Sequence, residues 1–401
     1  MKGSFRPKIL FISAGATITG VPIFFLNLIG WLKSNTNFEI SILTAVGGPL
    51  ESEYIKLAPT YKWDGTNELS KFEKVYLGRL LLRIIKKIFR VKIITYQEKL
   101  ISKLKSEKFD LIYVNSVASL PIFEEIRKYI KTKTILHVHE LQISILQFCG
   151  LELLKKNIPY FNHLIVISNA VGLNLKKQFD IPGECISLVY TFIDIKKSEN
   201  LDVIKYRRII RNQLGIPMDA FVVGSSGTTD WRKGADLIIQ IALKVREKFK
   251  KPVYFIWIGG DSSGLEYQKL NYDIERTGLA GSILFLGIKS EPLEYFAAID
   301  VFMLCSREEP VGMVALEAAS LKKPILCFDQ AGGSPEFVED DCGYVVPYLN
   351  LDYMADKTIY LAENESICNQ IGKTASEKVK RHDISIACKD IVSIINGKLY
   401  S

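Results

Sequence analysis

The sequence predicts an α/β protein of two doubly wound domains, each a parallel sheet with helices on its faces. Three observations predict this. Short apolar runs alternate with amphipathic stretches of helical spacing through the first half. The alternation restarts after a polar segment at 191–200. At 401 residues the chain also exceeds one ordinary hydrophobic core.

In the first half the strands are expected at Lys8–Ser13, Glu39–Thr44, Leu111–Asn115, Thr134–His137, His163–Ile167 and Ser187–Val189. In the second half they are expected at Phe221–Ser225, Val253–Ile258, Ile283–Leu286, Val301–Leu304, Pro324–Cys327 and Gly343–Val345. Helical stretches fill most of the intervals. The linker is placed at Thr191 to Asn200, where Lys196, Lys197 and Glu199 interrupt the apolar pattern. Ligands of such sheets bind beyond the carboxyl ends of the strands, so a cleft between the halves is the expected site.

Residues Ile9 to Leu32 carry no charge and follow Lys2, Arg6 and Lys8. A signal peptide or membrane span is one reading of such a run. Ser13, Gly15, Thr17, Thr19, Gly20 and Pro22 break it, and a strand, a glycine-bearing loop and a buried helix are expected instead.

Composition places the chain among globular proteins, with 48% apolar and 24% charged residues. Seven cysteines are scattered with no C-x-x-C pair, so neither a zinc site nor a disulfide framework is signalled; reduced thiols in a cytosolic protein are expected. Charge is uneven. Residues 1–200 hold 28 Lys and Arg against 17 Asp and Glu, whereas residues 201–401 hold 24 against 27. The basic first half points to an anionic partner.

The most informative stretch is Ser306-Arg-Glu-Glu-Pro-Val-Gly-Met-Val-Ala-Leu-Glu-Ala-Ala-Ser320. It reads as the end of a strand, a polar loop, and a helix from Gly312 to Leu321. The unpaired amides and dipole of a helix start suit a phosphate without a metal. Glu317, in the second turn, is suited to accept hydrogen bonds from sugar hydroxyls. Upstream, Gly227-Thr-Thr-Asp-Trp-Arg-Lys-Gly234 again joins a strand to a helix and carries Arg232 and Lys233. A solvated helix start is the competing reading for both cations.

These stretches, with Pro324-Ile-Leu, Gly332-Gly333-Ser-Pro-Glu336-Phe-Val338 and Gly343-Tyr-Val-Val346, resemble the donor-site signature of retaining glycosyltransferases of the GT-B fold, family 4, also described as glycosyl transferases group 1. The resemblance covers nearly the whole chain. It implies a Rossmann-like acceptor-binding domain at 1–195 and a Rossmann-like nucleotide-sugar donor-binding domain at 205–380. It further implies a C-terminal helix, 381–401, packing back on the first domain. Residues Ile384 to Leu399 have the spacing for that helix.

By the same resemblance Lys233 binds the donor diphosphate and Glu309 lies near the transferred sugar. The amides of Gly312, Met313 and Val314 cradle phosphate, and Glu317 accepts from the ribose hydroxyls. The family has an arginine five residues before the lysine, where this chain has Thr228; Arg232 and Thr228 are the two candidates to replace it. Thr19-Gly20-Val21-Pro22 resembles the glycine-bearing first loop, with Gly20 at the donor. His139, in His137-Val-His139-Glu140, aligns with the active-site histidine, while His137 is expected to be structural. Lys322-Lys323 stands where the family has glycine, so a left-handed Lys322 is expected, at about 1–2 kcal/mol.

The implied activity is transfer of a sugar, with anomeric retention, from a UDP- or GDP-type donor to a glycan or lipid-linked acceptor in bacterial envelope polysaccharide or lipopolysaccharide synthesis. With no obvious covalent nucleophile, front-face attack assisted by the departing phosphate is the expected route. The alternatives are a nucleotide-sugar epimerase of the same fold and a non-catalytic sugar-nucleotide-binding subunit. No D-x-D triplet occurs, so metal independence is expected, with no cofactor. Finally, Lys71 to Lys92 holds eight basic residues, among them Arg79, Arg83, Lys86, Lys87 and Arg90, interleaved with apolar ones. It reads as a basic amphipathic helix for an anionic membrane surface or the acceptor. A core-facing helix with a solvated basic side is the competing reading, and nucleic acid is not expected. The expected location is the cytoplasm, with peripheral attachment to the inner face of the plasma membrane.

Overall fold

The structure, a computed structural model, describes residues 6–64 and 95–400. The basic segment 71–92 lies outside the described residues. The chain divides into two compact units. The first comprises Met1–Ile167, Asn174–Val189 and Cys388–Ser401; the second comprises Ser168–Leu173 and Tyr190–Ala387. The last helix, Ile384–Leu399, therefore gives its residues from Cys388 onward to the first unit. Segment 191–200 includes a short helix, Ile195–Glu199, with Ile195 buried in the second unit's core.

The first unit contains β1 (Lys8–Ser13), β2 (Glu39–Thr44), β3 (Thr60–Lys62), β4 (Leu111–Asn115), β5 (Lys133–Val138), β6 (His163–Val166) and β7 (Ile186–Leu188). They form one parallel sheet in the order β3-β2-β1-β4-β5-β6-β7. The second unit contains β8 (Phe221–Ser226), β9 (Val253–Ile258), β10 (Ile283–Phe285), β11 (Val301–Leu304), β12 (Ile325–Phe328) and β13 (Gly343–Val346). Its parallel order is β10-β9-β8-β11-β12-β13. Both sheets thus reverse direction of growth beside their first strand, the switch point where doubly wound sheets bind ligands. Strand β3 escapes sequence reading because Thr60-Tyr-Lys62 is a half-buried three-residue edge with no apolar run.

Buried strands need apolar residues on both faces. Strand β4 is buried along its length, as are four of the six residues of β8. Helix Ala235–Lys248 covers one face of the second sheet with Leu237, Ile238, Ile241 and Val245. Helix Met313–Ser320 covers the other with Ala315, Leu316, Ala318 and Ala319. The uncharged run from Ile9 resolves into β1, a loop and helix Gly20–Asn35, whose Phe24, Phe25, Leu28, Ile29 and Leu32 are buried. No described helix is long and apolar enough to cross a membrane.

One buried charge network aligns β8 with β11. Arg211 is fully buried; its Nε donates to Ala298 O at 2.9 Å and its Nη1 to Ala220 O at 2.7 Å. Its Nη2 donates to Asp300 Oδ2 at 2.8 Å, and the same oxygen accepts from the Val222 amide at 2.7 Å. Each charged group is therefore paired and hydrogen-bonded, as burial demands. Burial pushes the neighbouring Lys323 ammonium down to about 8.

Two backbone positions carry opposite predictions. Lys322 is left-handed (φ 62°) and exposed, and it follows the helix ending at Ser320. Replacing it by glycine removes a Cβ penalty that outweighs the added freedom of the unfolded chain. Lys322→Gly should stabilise the protein by about 0.5–1 kcal/mol in denaturant titrations. Gly234 is also left-handed (φ 70°), and a Cβ there would lie 2.0 Å from Cys305 O. Gly234→Ala should cost about 2 kcal/mol or more in the same titrations.

Candidate active site

The candidate residues fall into two groups, one in each unit, both at the carboxyl ends of strands: β8 and β11, which flank the switch point of the second sheet, and β1 and β5 of the first.

In the second unit the loop after β8 is a compact turn. Asp230 organises it: Oδ2 accepts from Thr228 Oγ1 at 2.5 Å and Oδ1 from the Lys233 amide at 3.0 Å. The turn closes through left-handed Gly234, which starts helix Ala235–Lys248. Lys233 is thereby aimed at the loop after β11. Its Nζ lies 2.5 Å from Glu309 Oε2, with side-chain exposures of 14% for Lys233 and 6% for Glu309. Ser306 Oγ donates to the same oxygen at 3.0 Å. Arg232 Nη1 donates to Glu308 O at 3.1 Å, and the Arg307 amide donates to Arg232 O at 2.8 Å.

The Glu309 backbone is held as firmly as its side chain. Its amide donates to Ala331 O at 2.7 Å, and the Gly333 amide donates to Glu309 O at 3.0 Å. A Cβ on Gly333 would lie 2.2 Å from Pro310 O, so the glycine permits this close approach. Burial alone would raise the Glu309 carboxyl. Lys233, followed by Arg232, outweighs it and holds the group below the usual carboxylate range.

Helix Met313–Ser320 begins directly after this loop. Its N-cap, Gly312, has no side chain to offer the first turn. The Gly312 amide points at Ser334 Oγ, 3.4 Å away. Glu317 is half-buried and forms no ion pair among the described residues. Burial pushes its carboxyl up to about 7, despite the pull of Lys197. The two glutamates of one motif thus have opposite electrostatics, because Glu309 has a cation in contact and Glu317 has none.

In the first unit, Gly20 opens the helix Gly20–Asn35 behind N-cap Thr19, which makes no side-chain cap. A Cβ at Gly20 would touch nothing in the chain, so the fold itself does not require glycine there. His139 follows β5. Its Nε2 lies 3.0 Å from Asn115 Oδ1 at the end of β4, and the Phe24 ring stands edge-on to it at 4.7 Å. Burial pushes the His139 imidazole down to about 3, so it is neutral at physiological pH. His137 is fully buried within β5, its Nδ1 2.6 Å from the Tyr113 hydroxyl. Burial holds it well below the ordinary histidine value.

Beside them lies a buried polar group that the sequence motifs did not single out. Glu140 is 3% exposed and forms no ion pair among the described residues. Its Oε1 accepts from Ser116 Oγ, and its Oε2 accepts from the amides of His139 at 2.9 Å and Val117 at 3.3 Å. Ser116 has φ 77° and ψ 145°, a region that costs a non-glycine residue about 1–3 kcal/mol. The sequence placed Glu140 next to a candidate histidine; nothing in the sequence paired it with a serine 24 residues earlier. Asp230 and Ser306 lie within the stretches read from the sequence but were not singled out, although their partners are only two or three residues away and Thr228-x-Asp230 is a recognisable side-chain turn signal.

Among the described residues no group of three or more His, Cys, Asp or Glu is placed to hold a metal ion. Arg79, Arg83, Lys86, Lys87 and Arg90 lie outside the described residues.

The buried pair makes a testable claim. Lys233→Met leaves the Glu309 carboxylate buried without its contact cation, which typically costs about 3–5 kcal/mol at pH 7. In the parent the depressed Glu309 carboxyl contributes stability above its unfolded value of about 4.5 that is lost as pH falls. In Lys233→Met the carboxyl rises, so the deficit should shrink as pH drops from 7 towards 4.5. The double variant Lys233→Met/Glu309→Gln should recover most of it. Equal deficits at both pH values in urea titrations would contradict the pairing.

Residues 206–378 match the family described as glycosyl transferases group 1. The chain is 24% identical over 315 residues to the poly(ribitol-phosphate) alpha-N-acetylglucosaminyltransferase of Staphylococcus aureus (strain COL), covering 76% of this chain and 58% of that relative. It is 24% identical over 231 residues to the O-antigen biosynthesis glycosyltransferase WclY of Escherichia coli, covering 55% of this chain and 61% of that relative. The matched part of this chain thus spans 58% and 61% of the two relatives' lengths. Among solved structures, Anabaena Alr3699/HepE in complex with UDP and glucose superimposes with a TM-score of 0.77 at 19% identity, covering 98% of this chain and 100% of that one. That likeness is one of fold. Residues 206–378 thus match the glycosyl transferases group 1 family, and the two Rossmann-like parallel-sheet units have the fold of solved GT-B glycosyltransferase structures.

Proposed function

We propose that the chain is a retaining, family 4 glycosyltransferase that moves a sugar from a nucleoside diphosphate donor, of UDP or GDP type, to a glycan or lipid-linked acceptor of a bacterial envelope. The observation that carries this reading is the buried Lys233–Glu309 pair. It joins the loops after β8 and β11 beside a helix start, all inside the segment that matches the glycosyltransferase family. The names of the relatives, which concern poly(ribitol-phosphate) and O-antigen, support an envelope glycan. The UDP and glucose of the Anabaena complex support a nucleotide-sugar donor.

In this reading the donor diphosphate takes Lys233 as its cation, with the amides of Met313 and Val314 at the helix start. Such fixed donors stabilise charge growing on a leaving group, typically by about 3–4 kcal/mol each. The Thr228 hydroxyl is already engaged by Asp230, so Arg232 is the second cation. Glu317 accepts from the ribose hydroxyls, and its raised carboxyl falls when those donors arrive. His139 meets a hydroxyl of the transferred sugar as a neutral imidazole, with Gly20 leaving the donor room. The bond between the anomeric carbon and the diphosphate oxygen breaks with its electron pair on that oxygen. The acceptor oxygen attacks on the same face, and its proton passes to the departing phosphate. No divalent ion is needed where lysine, arginine and amides hold the charge.

A thermal-shift screen of UDP-, GDP- and ADP-sugars tests the donor, because a ligand bound only to the folded state raises stability by mass action. One nucleotide class should raise the melting temperature, and Glu317→Ala should weaken that binding by about tenfold. No shift with any class, or unchanged affinity in Glu317→Ala, would count against the reading.

The sequence of Lys71 to Lys92 supports peripheral attachment to an anionic membrane. The protein should sediment with vesicles containing phosphatidylglycerol, and joint charge reversal at Arg83, Lys86 and Lys87 should release it. A parent protein that stays in the supernatant would end this part of the reading.

A further inference from the structure

The first unit contains a buried carboxylate whose presence the fold alone does not explain. Glu140 forms no ion pair among the described residues, and Ser116 beside it holds a left-handed backbone without being glycine. A buried charge and a strained residue in contact are both costly, and such features persist where the surroundings fix a functional geometry. Ser116 binds Glu140, and Glu140 in turn accepts from the amide of His139.

At Glu140 the hydrogen-bond directions follow from its donors. Ser116 Oγ accepts from the Ala118 amide at 3.1 Å, which leaves its O–H to donate to Glu140 Oε1. Glu140 Oε2 receives the amides of His139 and Val117. The carboxylate thus ties the turn after β4 to the turn after β5 through three donors. The His139 ring is held separately, by Asn115 Oδ1 at Nε2 and by Phe24 on its edge. With Asn115 turning Oδ1 rather than its NH2 to Nε2, the proton sits on Nε2 and Nδ1 is the acceptor nitrogen. Asn115 itself is fully buried, between β1 and β5 in the sheet.

We infer that Glu140 and Asn115 are positioning residues for His139: Glu140 fixes its backbone through the Ser116 turn, and Asn115 selects the Nε2–H tautomer of its ring. The inference deepens the proposed function and rests on its assignment of His139 to the transferred sugar. A ring nitrogen that must meet one hydroxyl benefits from a fixed tautomer and place, since small misplacements lose large factors in rate.

The chain has four histidines, so 15N-histidine labelling gives a short spectrum, and His139→Asn assigns its signals. The full-length parent should show His139 protonated at Nε2. Asn115→Leu should remove that preference, and Glu140→Ala should shift or broaden the His139 signals. Glu140→Gln keeps an oxygen for the His139 and Val117 amides and turns its NH2 to Ser116 Oγ, so it should restore them. A parent protonated at Nδ1 overturns the Asn115 assignment, even if a variant fails to fold. Signals unmoved in both Asn115→Leu and Glu140→Ala overturn the whole inference. With UDP-glucose as probe, hydrolysis by Glu140→Ala should fall about tenfold in kcat with KM nearly unchanged, and Glu140→Gln should recover it. If the signals behave as stated but saturating UDP-glucose leaves His139 unperturbed in the parent, the positioning stands and the assignment of His139 to the donor sugar falls.

Discussion

The structure of the second unit turns on one ion pair. Lys233 and Glu309 are 76 residues apart in sequence and 2.5 Å apart in space. A carboxylate and an ammonium removed from water lose solvation, and their attraction repays it only where further hydrogen bonds complete the shell. Ser306 supplies one such bond to Glu309, while Asp230 and Gly234 fix the turn that delivers Lys233. Behind them the Arg211–Asp300 network sets β8 against β11, so the two loops arrive in register. In the proposed function, a donor phosphate entering this place would find an ammonium already desolvated and held, with a carboxylate to displace.

The first unit solves a related problem without a cation. Its histidines are neutral because burial disfavours the imidazolium, and Glu140 is satisfied by O–H and N–H donors alone. Neutral imidazoles and a satisfied carboxylate suit contacts with sugar hydroxyls, which carry no charge. The second unit, although acidic on balance, places Lys233 and Arg232 together at one helix start, an arrangement that suits the diphosphate of the proposed donor. The division of chemistry between the two units follows from where each places its ionisable groups.

Much of this was legible in the sequence, and what was missed has a common cause. The strands of both sheets are continuous apolar runs, and the run from Ile9 to Leu32 betrayed its strand–loop–helix character through Gly15, Gly20 and Pro22. The helix beginning behind Gly312 followed from local pattern, and the left-handed Lys322 from the resemblance to a family with glycine at that place. Edge strand Thr60–Lys62 was lost because three residues carry no periodicity. Arg211–Asp300, Ser116–Glu140 and Asn115–His139 were invisible for a different reason. Each links residues 24 to 89 positions apart through polar groups that look solvated until the fold buries them. Sequence pattern reports which face of an element is apolar; it does not report which polar side chain will be carried inside with a partner.

The central claim is that Lys233 exchanges Glu309 for phosphate when donor binds. A crystal structure of the protein with UDP, compared with the ligand-free crystal, measures this directly. The account predicts Lys233 Nζ within hydrogen-bond distance of a diphosphate oxygen and withdrawn from Glu309. UDP bound elsewhere, with the Lys233–Glu309 contact intact, would contradict it.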